Sequence, residues 1–263
     1  MLAVISPAKT LDFESPAATR KHSLPVYLND SKQLIATLRD QSPGELADLM
    51  GISSKLADLN YQRYADWHAP FSPDNAKQAL LAFKGDVYMG LNAADYAERD
   101  FSWAQKHVRI LSGLHGILKP LDLIQPYRLE MGTALKTSKG ANLYDFWGNK
   151  ITKELQRALD EQAGSKERVP VLVNLASNEY FNAVQAERLN ARIITPTFKD
   201  LKNGRYKFMS FYAKKARGAM TSYLVKNRVG TLKALKEFDW DGYYYSEDLS
   251  RGDEWVFLRD KPQ

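Results

Sequence analysis

The feature that most constrains the fold is a set of short apolar runs that end at polar or turn-forming residues. Val169 to Leu175 is dense enough in apolar residues for a strand buried on both faces. Leu2 to Ile5 is a shorter run, ended by Ser6 and Pro7. No run approaches the roughly 20 apolar residues that a membrane span needs. The runs therefore predict the strands of a central sheet, and no contact with a membrane.

Turn signals divide the rest of the predicted sheet. Asn203-Gly204 is the strongest hairpin signal in the chain, because both residues readily adopt the positive φ of a tight turn. A second hairpin is expected near the carboxyl terminus. The further predicted strands are Leu80–Phe83, Val108–Leu111, Ile193–Phe198, Tyr206–Phe211, Gly242–Tyr245 and Trp255–Leu258.

Helices are predicted between these strands. Apolar spacing indicates a helix over Leu28–Leu38. The segment Ser42-Pro43-Gly44-Glu45 then supplies an N-cap, a proline at the first helical position and a glutamate at the third, and this helix should stop near Gly51. The other predicted helices are Ser53–Tyr64, Asp145–Leu159 and Tyr212–Arg228.

Length and composition favour one folded unit. A chain of 263 residues is within the range of a single core, and no repeat, low-complexity tract or long linker divides it. We expect an α+β fold, in the form of a single mixed α/β domain over residues 1–263. The start of the chain lacks a basic segment followed by a long apolar one, which indicates a cytoplasmic protein.

The residue types present exclude several kinds of chemistry. The chain has no cysteine, so disulfides, thiolate metal sites and cysteine nucleophiles are absent. Its four histidines lack metal-ligand spacing, and its glycines match neither a phosphate loop nor a dinucleotide fingerprint. We therefore expect no metal site and no cofactor.

Positive charge is concentrated between Lys199 and Arg228. This segment holds nine basic residues against one acid, Asp200, a net charge of +8, whereas the whole chain carries +6. The stretch from Glu237 to Glu254 has seven acids and one base. A helical wheel of Tyr212–Arg228 places apolar residues on one stripe and Lys214, Arg217, Thr221 and Arg228 opposite. The segment is either a solvated surface or a contact for a polyanion.

DNA is the polyanion that this pattern best suits, since lysine and arginine bind phosphates and nearby aromatic rings can stack on exposed bases. Contacts to the phosphate backbone carry no sequence information, which predicts binding to double-stranded DNA without sequence specificity. The candidate contacts in this segment are Arg205, Lys207, Lys214, Lys215, Arg217 and Arg228.

A second candidate for DNA contact is a helix-hairpin-helix at about residues 43–66. Gly51, Ile52 and Ser53 occupy the turn of this pattern, with Lys55 just beyond it. Backbone N–H groups of the turn and of the second helix would face a phosphate. Ser53 stands where the motif usually has a second glycine. An ordinary helix pair explains the same residues equally well.

Charged and polar residues beside glycines and prolines suggest a polar cleft. Lys9, Asp86 and Glu179 are the candidates for general acid–base or Schiff-base chemistry. Ion pairs that brace loops are the alternative explanation. The other residues expected around the cleft are Ser6, Lys84, Lys119, Asp122, Arg128, Glu130 and Asn174.

The same motifs, taken in order along the chain, resemble the peroxide stress resistance protein YaaA family. They are ISPAKTLD, AFKGDVY, LSGLHGILKPLDLIQPYRLEMG, LYDFWG, NLASNEYF and MSFYAKKARG. The resemblance covers essentially the full chain. It implies a cytoplasmic protein that limits hydrogen peroxide damage linked to intracellular iron. It also implies DNA binding by a mixed α/β fold with a helix-hairpin-helix and a basic cleft.

The resemblance brings no established catalytic residues, so alternatives stay open. A DNA-binding protein is the main interpretation. An enzyme acting on nucleic acid or on a small anionic substrate is the second, and a scaffold for a protein partner is the third. The oligomeric state does not follow from the sequence.

Overall fold

A mixed eight-stranded sheet organises the molecule. The computed structural model describes residues 1–163 and 169–261. The sheet order is β11-β12-β9-β8-β1-β5-β6, and β10 also pairs with β9. Its strands are β1 (Leu2–Ile5), β5 (Val108–Ser112), β6 (Gly116–Leu118), β8 (Val171–Leu175), β9 (Arg192–Lys202), β10 (Arg205–Lys207), β11 (Tyr243–Arg251) and β12 (Glu254–Arg259).

Two small antiparallel sheets complete the strands. They pair β2 (Thr10–Leu11) with β4 (Phe83–Lys84), and β3 (Lys77–Gln78) with β7 (Leu123–Ile124). In the large sheet β12, β9, β8, β1 and β5 run parallel, whereas β6, β10 and β11 are antiparallel to their neighbours. The fold is thus a single mixed α/β domain with a parallel centre.

Eleven α-helices are formed by the described residues. The first six are α1 (Leu28–Arg39), α2 (Pro43–Met50), α3 (Ser54–Asp66), α4 (Ala79–Ala82), α5 (Asp86–Leu91) and α6 (Glu98–His107). The other five are α7 (Leu143–Trp147), α8 (Lys150–Ala163), α9 (Asn178–Phe181), α10 (Ser210–Lys226) and α11 (Leu232–Lys236). None of these helices has the length and apolar character needed to cross a bilayer.

The central strands are covered on both faces. All four residues of β1 and all five of β5 are buried, although alternate side chains of a strand point to opposite sides. Most buried apolar residues join one continuous cluster. The run predicted as a central strand, Val169 to Leu175, is confirmed as β8, between β9 and β1.

Local signals confirm several predicted elements. Ser42 and Glu45 form a reciprocal capping box at the start of α2, and Gly51 ends that helix with a φ of 60°. Both hairpins form: Asn203 and Gly204 connect β9 to β10, and β11 pairs with β12. These predictions succeed because each depends on a few neighbouring residues.

Three predicted elements were wrong in kind or extent. The predicted strand Tyr206–Phe211 is a strand only at Tyr206 and Lys207, and Ser210 and Phe211 already belong to α10. Leu80–Phe83 is mostly the short helix α4, because Ala79 to Ala82 are strong helix formers, and four adjacent apolar residues carry no period. The predicted helix Asp145–Leu159 is broken into α7 and α8 at Gly148, whose φ is 48°.

The helical wheel of α10 was confirmed for Ala216, Ala219 and Met220, which are buried, but it was wrong for Thr221. Thr221 was expected on a solvent-facing side, but it is fully buried, as are Gly218, Met220 and Ser222. The second half of α10 is enclosed because the helix packs against α5, α6 and the sheet. Its first turns reach the surface with Lys214 and Lys215, and Lys226 is exposed at its last turn.

Candidate functional site

The carboxyl ends of β1 and β8 meet at one edge of the sheet. The two strands are parallel neighbours, and the chain continues from β1 to β5 on one side and returns to β8 on the other. Such a reversal of strand order leaves a crevice beyond the strand ends, where α/β proteins commonly bind ligands. In this chain Ser6 follows β1 directly, and Ser177 lies just beyond β8.

The helices α5 and α10 close this crevice, and each has a glycine where their backbones meet. A Cβ added at Gly218 of α10 would lie 1.8 Å from the Val87 carbonyl oxygen of α5. A Cβ added at Gly90 of α5 would lie 2.0 Å from the Lys215 carbonyl oxygen of α10. Because neither glycine has a side chain, the backbones approach closely. This contact brings Asp86, the first residue of α5, beside the basic first half of α10.

The result is a cavity of about 550 Å³ that collects many of the predicted polar residues. It lies within the size range of ligand pockets in proteins. Its apolar walls include Val87, Leu175 and Tyr180. The polar side chains around it that the sequence had suggested are Ser6, Lys9, Lys84, Asp86, Glu179, Lys214 and Arg217.

Hydrogen bonds fix the hydroxyl and carboxylate groups of the cavity. The backbone N–H of Ser177 donates to Ser6 Oγ at 2.9 Å, and the Ser6 hydroxyl donates to Ser177 Oγ at 3.3 Å. The backbone N–H of Gly132 donates to Glu179 Oε1 at 3.0 Å. The Tyr88 hydroxyl donates to the Ser6 carbonyl at 3.1 Å. These bonds join the ends of β1 and β8 to α5 and to the loop at Gly132.

The four cations of the cavity differ in their partners. Lys9 Nζ lies 3.1 Å from Glu130 Oε1, and Lys84 Nζ lies 3.8 Å from Asp12 Oδ2. Among the described residues, no carboxylate lies within ion-pair distance of Lys214 or Arg217. Burial lowers the pKa of the Arg217 guanidinium, since loss of water disfavours its charged form.

An ion cluster adjoins the cavity. Glu130 Oε1 accepts a hydrogen bond from Arg128 Nη2 at 2.9 Å and also pairs with Lys9. The Tyr64 hydroxyl of α3 donates to the Arg128 carbonyl. Arg128 and Glu130 therefore brace the loop beside the cavity rather than line it, which is the role that the alternative explanation assigned to such pairs.

Three residues expected around the cleft lie elsewhere. Asp122 is buried, where it accepts hydrogen bonds from the Ser23 hydroxyl at 2.6 Å and from the Lys119 backbone N–H at 2.8 Å. Burial raises the pKa of Asp122 to about 6. Lys119 follows β6, whose antiparallel direction carries it away from the edge where β1 ends. Asn174 Oδ1 accepts from the Ala176 N–H and shapes the end of β8.

The exposed basic surface is the hairpin of β9 and β10 with the first turns of α10. Lys202, Arg205, Lys207 and Lys214 are exposed, and Lys215 is partly exposed. Among the described residues, none of these five cations is in an ion pair.

The single acid of the basic segment does not neutralise this surface. Asp200 is fully buried and accepts from Arg259 Nε at 2.6 Å. Phe208 follows the hairpin and Phe211 lies in the first turn of α10, and each of these rings is 55% exposed. The surface thus combines unpaired cations with two exposed aromatic rings.

Arg228 does not belong to this surface, which corrects its place among the DNA contacts. Its Nη2 atom lies 2.6 Å from Asp100 Oδ1 of α6, and that carboxylate is only 10% exposed. The pair ties the end of α10 to α6. The wheel failed here because Arg228 follows the helix and has a φ of 53°.

The predicted helix pair forms at residues 43–66, but its turn differs from the expected phosphate contact. The backbone N–H groups of Gly51 and Ile52 both donate to the Ala47 carbonyl, so they are used inside the turn. Ser53 precedes α3, and its side chain makes no capping hydrogen bond. The N–H groups that could face a phosphate are therefore those of the first turn of α3, with Lys55 exposed beside them.

Some residues of the cavity were not anticipated from the sequence. Ser177 and Tyr180 come to it because α9 begins directly after β8. Gly90 and Gly218 position it without lining it. Of these two glycines, Gly218 could have been singled out from the sequence, because it ends the motif AKKARG. No group of three or more potential metal ligands occurs in the described part of the chain.

The fold and this edge define a class: a mixed α/β protein with a net cationic cavity where its parallel strands end, and an unpaired basic surface nearby. Comparison with known proteins specifies it further. The family model described as Peroxide stress protein YaaA matches residues 1–249. A UPF0246 protein of Cellvibrio japonicus (strain Ueda107) is 54% identical over 262 residues, 100% of each chain. The chain belongs to the YaaA family of peroxide stress proteins.

Proposed function

We propose that this peroxide stress protein binds double-stranded DNA without sequence specificity. The observation that carries the proposal is the unpaired basic surface, Lys202, Arg205 and Lys207 on the hairpin with Lys214 and Lys215 on α10. Each phosphate that these cations neutralise releases counterions from DNA and so favours binding. The exposed first turn of α3 with Lys55 offers a second phosphate contact.

DNA binding also offers a chemical explanation of how this protein would limit peroxide damage that depends on iron. Cations condensed on DNA include Fe²⁺, and peroxide reduced by iron at the phosphates would damage the strand nearby. A protein that neutralises phosphates displaces such cations. We therefore propose that binding limits peroxide damage by lowering the iron held at DNA.

The direct test is a salt titration with a hairpin variant, Lys202→Ala, Arg205→Ala and Lys207→Ala together. These side chains are exposed, so the variant should fold normally. Affinity for duplex DNA should fall, and the slope of log K against log salt should become shallower by about two to three, at roughly 0.9 per lost phosphate contact. An unchanged slope would refute the assignment of this surface.

A matched control removes the same charge elsewhere. Lys32, Lys136 and Lys153 are exposed and outside the ion pairs formed by the described residues. Their triple alanine variant should keep most of the salt slope. In a plasmid-nicking assay with Fe²⁺ and peroxide, the wild type and this control should protect DNA and the hairpin variant should not. Equal protection by all three would contradict the proposed link to iron.

The cavity favours one alternative, an enzyme acting on nucleic acid or on a small anionic substrate. Lys9, Asp86 and Glu179, the candidates for catalysis, all line it. An enzyme predicts that Asp86→Asn or Glu179→Gln abolishes an activity and leaves DNA affinity and folding intact. A pure binding protein predicts no such loss.

A further inference from the structure

The cavity and the hairpin surface differ in what they can hold. The hairpin is exposed and suits an extended polyanion, whereas the cavity is a crevice of about 550 Å³ between strand ends and helices. Its lining includes four cationic side chains and two carboxylates, those of Asp86 and Glu179. We therefore expect a ligand for this cavity to be small, anionic at one point and uncharged elsewhere.

The anionic group is best placed at Lys214 and Arg217. Both line the cavity and lack a carboxylate partner among the described residues, unlike Lys9 and Lys84, which lie near Glu130 and Asp12. An uncompensated guanidinium withdrawn from water is costly, and an anion beside it offsets that cost. The planar fork of arginine matches two oxygens of a phosphate, and lysine adds a point charge.

The rest of the cavity suits neutral hydroxyl groups and a flat apolar group. Carboxylates repel a second phosphate but accept hydrogen bonds from hydroxyl and amino groups. Glu179 Oε1 already accepts from Gly132, which leaves Oε2 for a ligand. Tyr180, Val87 and Leu175 supply apolar wall. A sugar hydroxyl would suit the carboxylates, and a heterocyclic base would suit the apolar wall.

We infer that the cavity binds a nucleoside monophosphate unit, with its phosphate on Lys214 and Arg217 and its hydroxyl or amino groups towards Asp86 and Glu179. The unit is either a free nucleotide or the phosphorylated end of a DNA strand. This inference goes beyond the proposed DNA binding. The two sites share Lys214, but the cavity does not depend on the hairpin cations Lys202, Arg205 and Lys207, which take no part in it.

The test titrates the full chain by calorimetry with nucleoside 5′-monophosphates, and separately with adenosine and with inorganic phosphate. A nucleotide should bind with a Kd below about 1 mM, and the two part-ligands at least about tenfold more weakly. Lys214→Met and Arg217→Met should each weaken nucleotide binding by about tenfold or more. The hairpin variant should bind the nucleotide as the wild type does, even if its DNA binding is lost.

Three results would overturn the inference. They are no nucleotide binding by the folded wild type, phosphate binding as tight as nucleotide binding, and unchanged affinity in both methionine variants. Lys214 is exposed, so its variant remains informative even if Arg217→Met fails to fold. Asp86→Asn gives an independent check, since its nucleotide affinity should fall while its phosphate affinity does not; equal loss of both contradicts the orientation.

The source of the nucleotide is resolved by displacement of a fluorescent nucleotide from the hairpin variant. An oligonucleotide with a 5′-phosphate that displaces it, while the 5′-hydroxyl form does not, supports the inference with a DNA end as the ligand. Displacement by free nucleotide and by neither oligonucleotide supports it with a free nucleotide as the ligand. Displacement by both oligonucleotides equally would contradict a phosphate subsite at Lys214 and Arg217.

Discussion

Replacement of Gly218 by alanine should destabilise the protein although alanine is the better helix former. The new Cβ would lie 1.8 Å from the Val87 carbonyl oxygen and 2.7 Å from the Leu91 backbone nitrogen. Ordinary contact begins near 3.4 Å, so α5 and α10 would have to separate by roughly 1.5 Å. Both obstructing atoms belong to a helix backbone and cannot rotate away.

The size of the effect follows from two opposing contributions. Overpacking of this kind costs about 1–3 kcal/mol, and a backbone obstruction belongs at the upper end of that range. Alanine recovers about 1 kcal/mol through helix propensity. The free energy of unfolding of Gly218→Ala should therefore fall by roughly 2 kcal/mol.

Gly44→Ala is the matched control for Gly218→Ala. Gly44 also lies in a helix, α2, but its added Cβ would meet only Ser42 Oγ at 4.0 Å. This variant should gain roughly 0.5–1 kcal/mol. Urea unfolding followed by circular dichroism gives both values from the midpoint and slope. A Gly218→Ala protein as stable as the wild type would refute the close approach of α5 and α10.

Three other perturbations test the described contacts. Burial holds the folded pKa of Asp122 near 6, above its unfolded value, so its contribution to stability is lost as pH rises from about 4 to 6. Asp122→Asn should remove that loss, and urea unfolding at several pH values in this window would show a more positive slope; a slope like that of the wild type contradicts the burial. Arg228→Ala should cost roughly 1–3 kcal/mol by leaving the Asp100 carboxylate without its partner, and should leave the salt slope of DNA binding unchanged. Ser42→Ala should cost about 1 kcal/mol through loss of the capping box with Glu45, measured by the same unfolding assay, and no loss would exclude the box.

Interactions between residues close together in the sequence determine much of the fold. The capping box at Ser42, the positive-φ turn at Asn203-Gly204 and the apolar run of β8 depend on a few adjacent residues, so the sequence alone predicted them. The predicted strand Leu80–Phe83 was wrong because four adjacent apolar residues fit a helix and a strand equally well. The distribution of charge also followed from residue types alone.

Tertiary structure decided which of the charged residues act together. Lys199 to Arg228 reads as one basic segment, yet Asp200 turns into the core, Arg228 pairs with Asp100, and Arg217 enters a cavity. Those outcomes depend on elements distant in sequence, which only packing brings together.

The sequence by itself thus determined that the chain forms a mixed sheet with helices and concentrates positive charge near β10 and α10. The tertiary structure alone decided that the ends of β1 and β8 meet at α5 and α10. The physical reason is that two glycines, Gly90 and Gly218, permit a backbone contact that no local pattern specifies.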